Sequence, residues 1–179
     1  MCKKQIKVYS VCIHEAGHAI AALNFKCRVK EMNYSPEPES GKTQIELHNN
    51  DDENRIIALA GIVATSLTEA NFQAEFDFNL MKNFGGEYDC QKARSYSNGV
   101  VSIEQALNHD WDLLRQNKDA LIRLAESLGE QRHLTEDVIL SLAGNIKQLP
   151  IPNLLDDNAY KSLKRPSLCH YLRRWLTKT

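Results

Sequence analysis

The sequence predicts a mainly helical domain with one small β-hairpin beside its first helix. Three observations support this class. Apolar residues recur three and four positions apart in most segments, as on the buried face of an α-helix. Only residues 27–48 change to strand-like runs around a turn-rich connector. With 179 residues, 42% of them hydrophobic and 25% charged, the chain is long enough for a compact domain with an ordinary core.

The first predicted helix covers residues 5–24, and the hairpin follows it. The apolar residues of this helix recur at helical spacing: Val8, Val11, Cys12, Ala16, Ala19, Ile20 and Leu23. Two short strands are predicted at residues 27–35 and 43–48. Between them, residues 36–42 (PEPESGK) contain two prolines and a glycine, which indicates a turn-rich connector.

Further helices are predicted after the hairpin. Residues 49–54 (NNDDEN) supply capping residues for a helix from 55 to about 71. A less regular stretch then precedes a short helix from 89 to about 97. Ser102 and Gln105 form a capping box that opens a long helix at 103–128, with Gly129 as its stop signal. Thr135 is the predicted N-cap of a last helix that ends near residue 146.

The composition changes after residue 149, where two prolines interrupt the chain. We therefore expect a domain at 1–149 and a basic tail at 150–179. Residues 161–179 contain six Lys or Arg and no acid. A short helix after Pro166 would place Leu168, Leu172 and Trp175 on one face and basic residues on the other, as in helices that bind anionic membranes or partners. The favoured alternative is that this segment packs on the domain.

Charge and cysteine content exclude several classes of protein. A net charge of −1 provides no basic field for nucleic acid. No run of 18 apolar residues exists, so no transmembrane helix is expected. The apolar part of the N-terminus is short and is interrupted by His14 and Glu15, which argues against a signal peptide. Five cysteines, an odd number without a CxxC pair, indicate a reducing compartment, and we expect a cytoplasmic protein.

The stretch HEAGH at residues 14–18 places two histidines four residues apart on the first helix. Such residues lie one turn along and about 40° around the axis, so the His14 and His18 imidazoles can reach one metal ion. Glu15 points to the side, where it suits a general base better than a ligand. Zinc lowers the pKa of a bound water from about 15.7 toward about 7, and a carboxylate can then accept the proton.

The alternative is that HEAGH is an ordinary polar patch on a helix. Its flanks are apolar, and burying a glutamate with two histidines would be costly without a function, so the metal interpretation is favoured. A catalytic zinc needs a third protein ligand. The other histidines are each isolated among polar residues: His48, His109, His133 and His170. The carboxylates are too numerous for spacing to select one.

Beyond HEAGH, the order of segments over about residues 8–146 resembles the peptidase domain of the FtsH-type ATP-dependent zinc metalloproteases. HEAGHAIAAL looks like the metal helix of that family, and KEMNYSPEPESGKTQIEL is similar to its proline-containing hairpin. RIIALAGIVATSL and GGEYDCQKARSYS resemble the segments that follow. The resemblance implies a zincin-like HExxH metal helix in a helical peptidase domain, with Zn²⁺ as the cofactor.

The resemblance also implies roles for individual residues. His14 and His18 fall on the family's zinc ligands, and Glu15 falls on its general base. Asp89 falls on the aspartate that completes the site, and it follows Gly85-Gly86 at the start of a predicted helix. Spacing alone favours a helix cap for Asp89. The resemblance favours a metal ligand.

Two departures from the family pattern bear on activity. There is no ATPase module and no GxxxxGK[ST] loop, so we expect no ATP-driven unfolding of substrates. Where the family has an arginine and two glutamates, this helix has Ile62, Thr65 and Ser66. Loss of a carboxylate that orients a zinc histidine can cost 10–100-fold in metal affinity or activity. Glu69 is a candidate substitute, and Tyr88 stands where the family has asparagine.

The predicted function is a stand-alone zinc metallopeptidase, a hydrolase acting on flexible or unfolded protein with Glu15 as general base. The alternatives are a catalytically weak zinc-bearing peptide-binding module, and a protease subunit that forms a homo-oligomer or depends on a separate unfoldase. In the family, the hairpin offers an edge to an extended peptide, which here would be residues 32–35. Equally, the hairpin could simply pack on the metal helix.

Overall fold

A computed structural model describes residues 3–69, 72 and 86–152 of the chain. In chain order the elements are α1 (Lys3–Asn24), β1 (Arg28–Pro36), β2 (Glu39–Glu46), α2 (Asp51–Glu69), α3 (Gly86–Ser95), α4 (Ile103–Gln116), α5 (Lys118–Gln131), β3 (His133–Thr135) and α6 (Glu136–Ala143). The predicted mainly helical class is confirmed. Most of the less regular stretch at 72–86 and the predicted helix after Pro166 lie outside the described residues. Among those residues, no helix combines the length and apolar character needed to cross a bilayer.

The predicted hairpin is present, but its turn is shorter than expected. β1 and β2 pair antiparallel, and the pairing continues to Ser35 with Ser40 and Pro36 with Glu39. The turn is therefore two residues long rather than the seven of the predicted connector. Proline at the end of a strand needs no ladder hydrogen bond from its nitrogen. The turn length predicted from the proline-rich composition was therefore too long.

A third strand, β3, changes which strand lies at the edge of the sheet. The order is β2-β1-β3, and β3 pairs antiparallel with β1. Met32 and Asn33 thus have partners on both sides, so the expectation that residues 32–35 form a free edge is wrong. β3 has only three residues, too few to show a strand pattern in the sequence. Within the described part of the chain, β2 has a strand neighbour on one side only.

The long helix predicted at 103–128 is divided into α4 and α5 at Asn117. The Asn117 amide group donates to the main-chain oxygens of Leu113 at 2.9 Å and Lys147 at 3.0 Å, and it accepts from the Lys147 N–H at 2.8 Å. The apolar spacing is nearly continuous across the break, which concealed it in the sequence. Gly129 does not stop the helix, because α5 continues to Gln131 and ends at Arg132 with φ 64°.

Other helix ends show how local capping determines the boundaries. The Asn50 side chain accepts from the N–H groups of Asp52 at 3.1 Å and Glu53 at 3.3 Å, so α2 begins four residues earlier than predicted. The capping box of Ser102 is confirmed. Thr135 occupies the N-cap position of α6 as predicted, although its side chain makes no capping hydrogen bond. α6 ends at Ala143, before the predicted residue 146.

α1 lies at the centre of the core, between α2, α5 and the sheet. A Cβ at Gly17 would lie 2.5 Å from the Ala60 main-chain oxygen and 2.6 Å from the Ala64 Cβ, so only glycine permits this contact between α1 and α2. The chain after α6 returns to the end of α1, where the Asn24 amide donates to the Leu149 oxygen at 2.9 Å and accepts from its N–H at 2.7 Å. The segment after α6 is therefore tied to the end of α1.

Candidate metal centre

Two helices distant in sequence bring the predicted ligands together. On α1, the Nε2 atoms of His14 and His18 lie 3.1 Å apart. On α3, the Oδ2 atom of Asp89 lies 2.9 Å from His14 Nε2 and 3.6 Å from His18 Nε2. α3 begins at Gly86 rather than at residue 89, so Asp89 lies inside its first turn and is not an N-cap. The helix-cap interpretation of Asp89 is therefore wrong.

The three donor atoms have the spacing of a shared coordination sphere. With zinc–ligand distances of about 2.1 Å, tetrahedral geometry places ligand atoms about 3.4 Å apart. The observed separations of 2.9, 3.1 and 3.6 Å bracket this value. His14, His18 and Asp89 could therefore hold one metal ion.

The orientation of His18 suits it to metal binding. Its Nδ1 lies 2.7 Å from the main-chain oxygen of Ile57 in α2. A carbonyl oxygen only accepts hydrogen bonds, so Nδ1 carries a hydrogen, and release of the Nε2 hydrogen that faces Asp89 would leave a lone pair on Nε2 for a metal ion. A main-chain oxygen thus orients this ligand, as commonly happens for metal-binding histidines.

Burial and close charges shape the electrostatics of the centre. Asp89 is 8% exposed. Burial alone would raise the pKa of its carboxyl group, but hydrogen bonds from His14 and His18 outweigh burial and hold that pKa well below its usual range. Burial would lower the pKa of His18, yet the hydrogen bond to Asp89 and nearby carboxylates raise it. The centre is therefore built around a carboxylate that stays ionised.

Gly61 on α2 provides the space in which the ligand atoms meet. A Cβ at this position would lie 2.5 Å from His18 Nε2 and 2.6 Å from His14 Nε2. Any larger side chain would therefore displace the imidazoles from their meeting point. A glycine inside a helix costs about 1 kcal/mol relative to alanine, so an isolated one often has a packing or functional reason. That signal was present in the sequence, but only the structure assigns the reason.

Glu15 is held beside the centre by β2. Its side chain is buried, with the residue 7% exposed, and its Oε2 accepts a hydrogen bond of 2.7 Å from the Thr43 hydroxyl. A Cβ at Gly41 would lie 2.5 Å from Glu15 Cγ and 2.7 Å from its Oε1. The sequence did not single out Thr43 or Gly41, because their role depends on β2 packing across α1.

A cleft of about 420 Å³ opens over the centre. Its lining includes the two histidines, Glu15, Asp89 and residues 41–45 of β2. Tyr88 and Leu47 also line it, and both are exposed apolar side chains. Polar groups converge at one place in the cleft while apolar surface surrounds them, an arrangement typical of binding sites.

Buried Arg55 secures α3, and with it Asp89, against α2. Its guanidinium group donates to the main-chain oxygens of Ala93, Tyr96 and Val101. Three carbonyl groups at the end of α3 and in the following loop are thus satisfied by one side chain. Arg55 therefore helps to position Asp89, and its role was not visible in the sequence.

The substituted positions of α2 contribute no carboxylate to the centre. Thr65 and Ser66 turn their hydroxyls back to the main-chain oxygens of Gly61 and Ile62, at 3.1 and 3.0 Å. Glu69 is exposed at the end of α2, about 12 Å along the axis from Gly61, and does not replace the missing acids.

Two histidines differ from their expected environments. The buried Nδ1 of His14 has no hydrogen-bond partner among the described residues. His14 thus lacks the kind of orienting contact that His18 makes. His109, which is isolated among polar residues in the sequence, is 3% exposed and stacks on Phe25 with ring centroids 5.6 Å apart. Burial lowers the pKa of His109, and its Nε2 lies 3.3 Å from the Leu149 oxygen. His109 is therefore a core residue and not a candidate metal ligand.

Comparison with known proteins does not assign the chain to a family. No protein-family model matches the chain, and a search of curated proteins finds no match. The resemblance to the FtsH-type peptidases therefore rests on the sequence motifs alone.

Proposed function

We propose that the chain is a zinc-dependent metallopeptidase that hydrolyses peptide bonds. The observation that carries this proposal is the convergence of His14, His18 and Asp89 within 3.6 Å of one another, beside the buried carboxylate of Glu15. Two histidines and a carboxylate form a recurrent class of catalytic zinc site that leaves one position open. Iron or cobalt could use the same ligands.

Each residue around the centre would have a separate role in the proposed reaction. Zinc, when bound, would polarise a carbonyl oxygen and lower the pKa of water. Glu15 accepts the proton of the attacking water and passes it to the leaving amine. Thr43 holds Oε2 of that carboxylate in place through its hydroxyl. Gly41 leaves room beside Oε1.

The cleft supports an extended peptide as the substrate. Residues 41–45 of β2 line the cleft, and in the described part of the chain β2 lacks a strand partner on its other side. An extended peptide can bind such a strand through main-chain hydrogen bonds. Such binding requires flexible or unfolded segments, so the proposed substrates are unfolded proteins rather than compact folded ones.

The test measures zinc content and casein cleavage together in the same preparations. Wild-type protein should hold zinc at this centre and cleave unfolded casein. Glu15→Gln should retain the zinc and lose about 10²–10⁴-fold in rate, because it removes the general base but no ligand. Asp89→Ala should lose most of that zinc and the activity. Glu87→Ala is the matched control, since Glu87 is exposed on the same helical turn and should change neither quantity.

The outcomes separate the proposal from its rivals. Absence of zinc from the wild type, or full cleavage by Glu15→Gln, would overturn it. Zinc without cleavage would favour a catalytically weak peptide-binding module, or a subunit that needs a separate unfoldase. The weak binding module is a candidate because the Nδ1 atom of His14 has no orienting partner among the described residues. Loss of such a contact can cost 10–100-fold in affinity or activity.

A further inference from the structure

A second group of ligand-type side chains lies away from the first centre. Cys27 follows α1, His48 follows β2, and Glu53 lies in the first turn of α2. One ligand atom from each lies within 4.8 Å of the other two, and His48 Nδ1 is 2.9 Å from Glu53 Oε2. Glu53 precedes Gly61 by eight residues, about 12 Å along the α2 axis. The two groups are therefore separate in space.

Each of these residues is fixed by main-chain or side-chain hydrogen bonds. The Cys27 N–H donates to the Ala22 oxygen at 2.9 Å, directly after Lys26 in the left-handed region with φ 59°. The Asn54 amide donates to the His48 main-chain oxygen at 2.8 Å. These contacts fix the main chain at Cys27 and His48 before any ligand arrives, which lowers the entropic cost of binding.

We propose that Cys27, His48 and Glu53 form a second metal site, for a divalent cation of the zinc type. Sulfur, nitrogen and oxygen donors together suit zinc, cobalt and similar ions better than magnesium or calcium. Tetrahedral geometry would need donor atoms about 3.4–3.6 Å apart. The His48–Glu53 pair must therefore open by about 0.5 Å, which rotation of the 45%-exposed His48 side chain allows. A separation at the 4.8 Å limit of the group must close by about 1.2 Å when the ion binds. The exposure of His48 also leaves the fourth position to water.

The charges around Cys27 favour a cation at this place. Burial raises the pKa of the Cys27 thiol, a hydrogen bond from the His48 main chain lowers it, and the negative charge of Glu53 raises it. A divalent cation would reverse the unfavourable contact between thiolate and carboxylate, because it attracts both. It would also replace the proton shared by His48 and Glu53. Bound there, it would join the ends of α1 and β2 to the start of α2.

Cobalt titration of the metal-free, full-length protein tests this site directly. A thiolate ligand gives Co²⁺ an intense charge-transfer absorption in the near ultraviolet, and the centre at His14, His18 and Asp89 contains no sulfur. Wild type should develop the band with about one equivalent of cobalt bound at this site, and zinc should abolish it. Cys27→Ser and His48→Ala should both lack the band.

Control variants exclude other sources of sulfur and separate the two sites. Cys12→Ser and Cys90→Ser, which remove the other two thiols of the described residues, should keep the band. Cys2→Ser and Cys169→Ser should keep the band, as should Asp89→Ala even if the first centre binds nothing. Absence of the band in wild type, or its persistence in Cys27→Ser, would overturn the proposal. If Cys27→Ser fails to fold, the exposed His48→Ala decides: a retained band refutes the site.

Discussion

Replacing Gly61 with alanine should abolish metal binding at the first centre while leaving the protein folded. The new Cβ would lie 2.5 Å from His18 Nε2 and 2.6 Å from His14 Nε2, whereas ordinary contacts begin near 3.4 Å. The overlap is therefore about 0.8–0.9 Å with each imidazole. Metal sites tolerate errors of only about 0.2 Å in ligand distance. Moving both rings by several times that amount should weaken zinc binding at least about 100-fold, or about 2.7 kcal/mol.

The cost to folding should be much smaller. Crowding a packed interior costs about 1–3 kcal/mol, and replacing glycine with alanine inside a helix recovers about 1 kcal/mol. The free energy of unfolding of the metal-free protein should consequently fall by about 0–2 kcal/mol. Urea unfolding in the presence of a chelator measures this term separately from metal binding. The predicted signature of Gly61→Ala is therefore a large loss of affinity with a small loss of stability.

Gly129→Ala provides the matched control for this measurement. Gly129 also lies inside a helix, but a Cβ there would be 3.7 Å from its nearest neighbour, Cys12 Sγ, which is an ordinary contact. This variant should gain about 1 kcal/mol of stability and bind zinc as wild type does. Competition with a chromogenic chelator gives the affinity of all three proteins. Wild-type zinc affinity in Gly61→Ala would refute the converging geometry.

Two further variants test how the fold supports the centre and the core. Arg55→Met should lower the free energy of unfolding by about 2–4 kcal/mol, because it leaves buried carbonyl groups unpaired. It should also weaken zinc binding, because Asp89 loses its anchor. Unchanged zinc affinity would argue against a positioning role. Burial, with no hydrogen-bond partner among the described residues, raises the pKa of Asp110 well above 3.8. Above pH about 4 the folded chain thus keeps a proton that the unfolded chain has lost, so stability falls with rising pH, by up to about 1.4 kcal/mol per unit. Asp110→Asn should raise the Tm at pH 7 and leave it unchanged near pH 4, and parallel pH curves for the two proteins would contradict this.

Sequence patterns were most informative where the relevant geometry is local. The His14–His18 pair needs only the helical repeat, and the capping box at Ser102 needs only residues three positions apart. The hairpin was also predicted, because the strand pattern lies on both sides of the turn signals. Its turn length was wrong, because proline content does not determine where strand pairing ends. The break at Asn117 was missed because its cause, contact with Lys147, lies thirty residues away.

Asp89 shows the difference between what local sequence patterns predict and what the tertiary structure determines. Among many carboxylates, spacing could not select it, and a comparison of motifs was needed to propose it. The structure places its Oδ2 atom 2.9 Å from His14 because Arg55 holds α3 against α2. Gly61 shows the same dependence, since its small size matters only because two imidazoles meet above it. Neither contact has a local sequence pattern.

The sequence by itself determined the helical class, the face of α1 that carries both His14 and His18, and the position of Glu15 next to it. These features follow from the helical repeat, which sets the relative positions of residues one turn apart. Only the tertiary structure decided which carboxylate completes the centre, which strand borders the cleft and which side chains form the second cluster of Cys27, His48 and Glu53. Those features join residues from separate elements, so they depend on how helices and strands pack rather than on any local repeat.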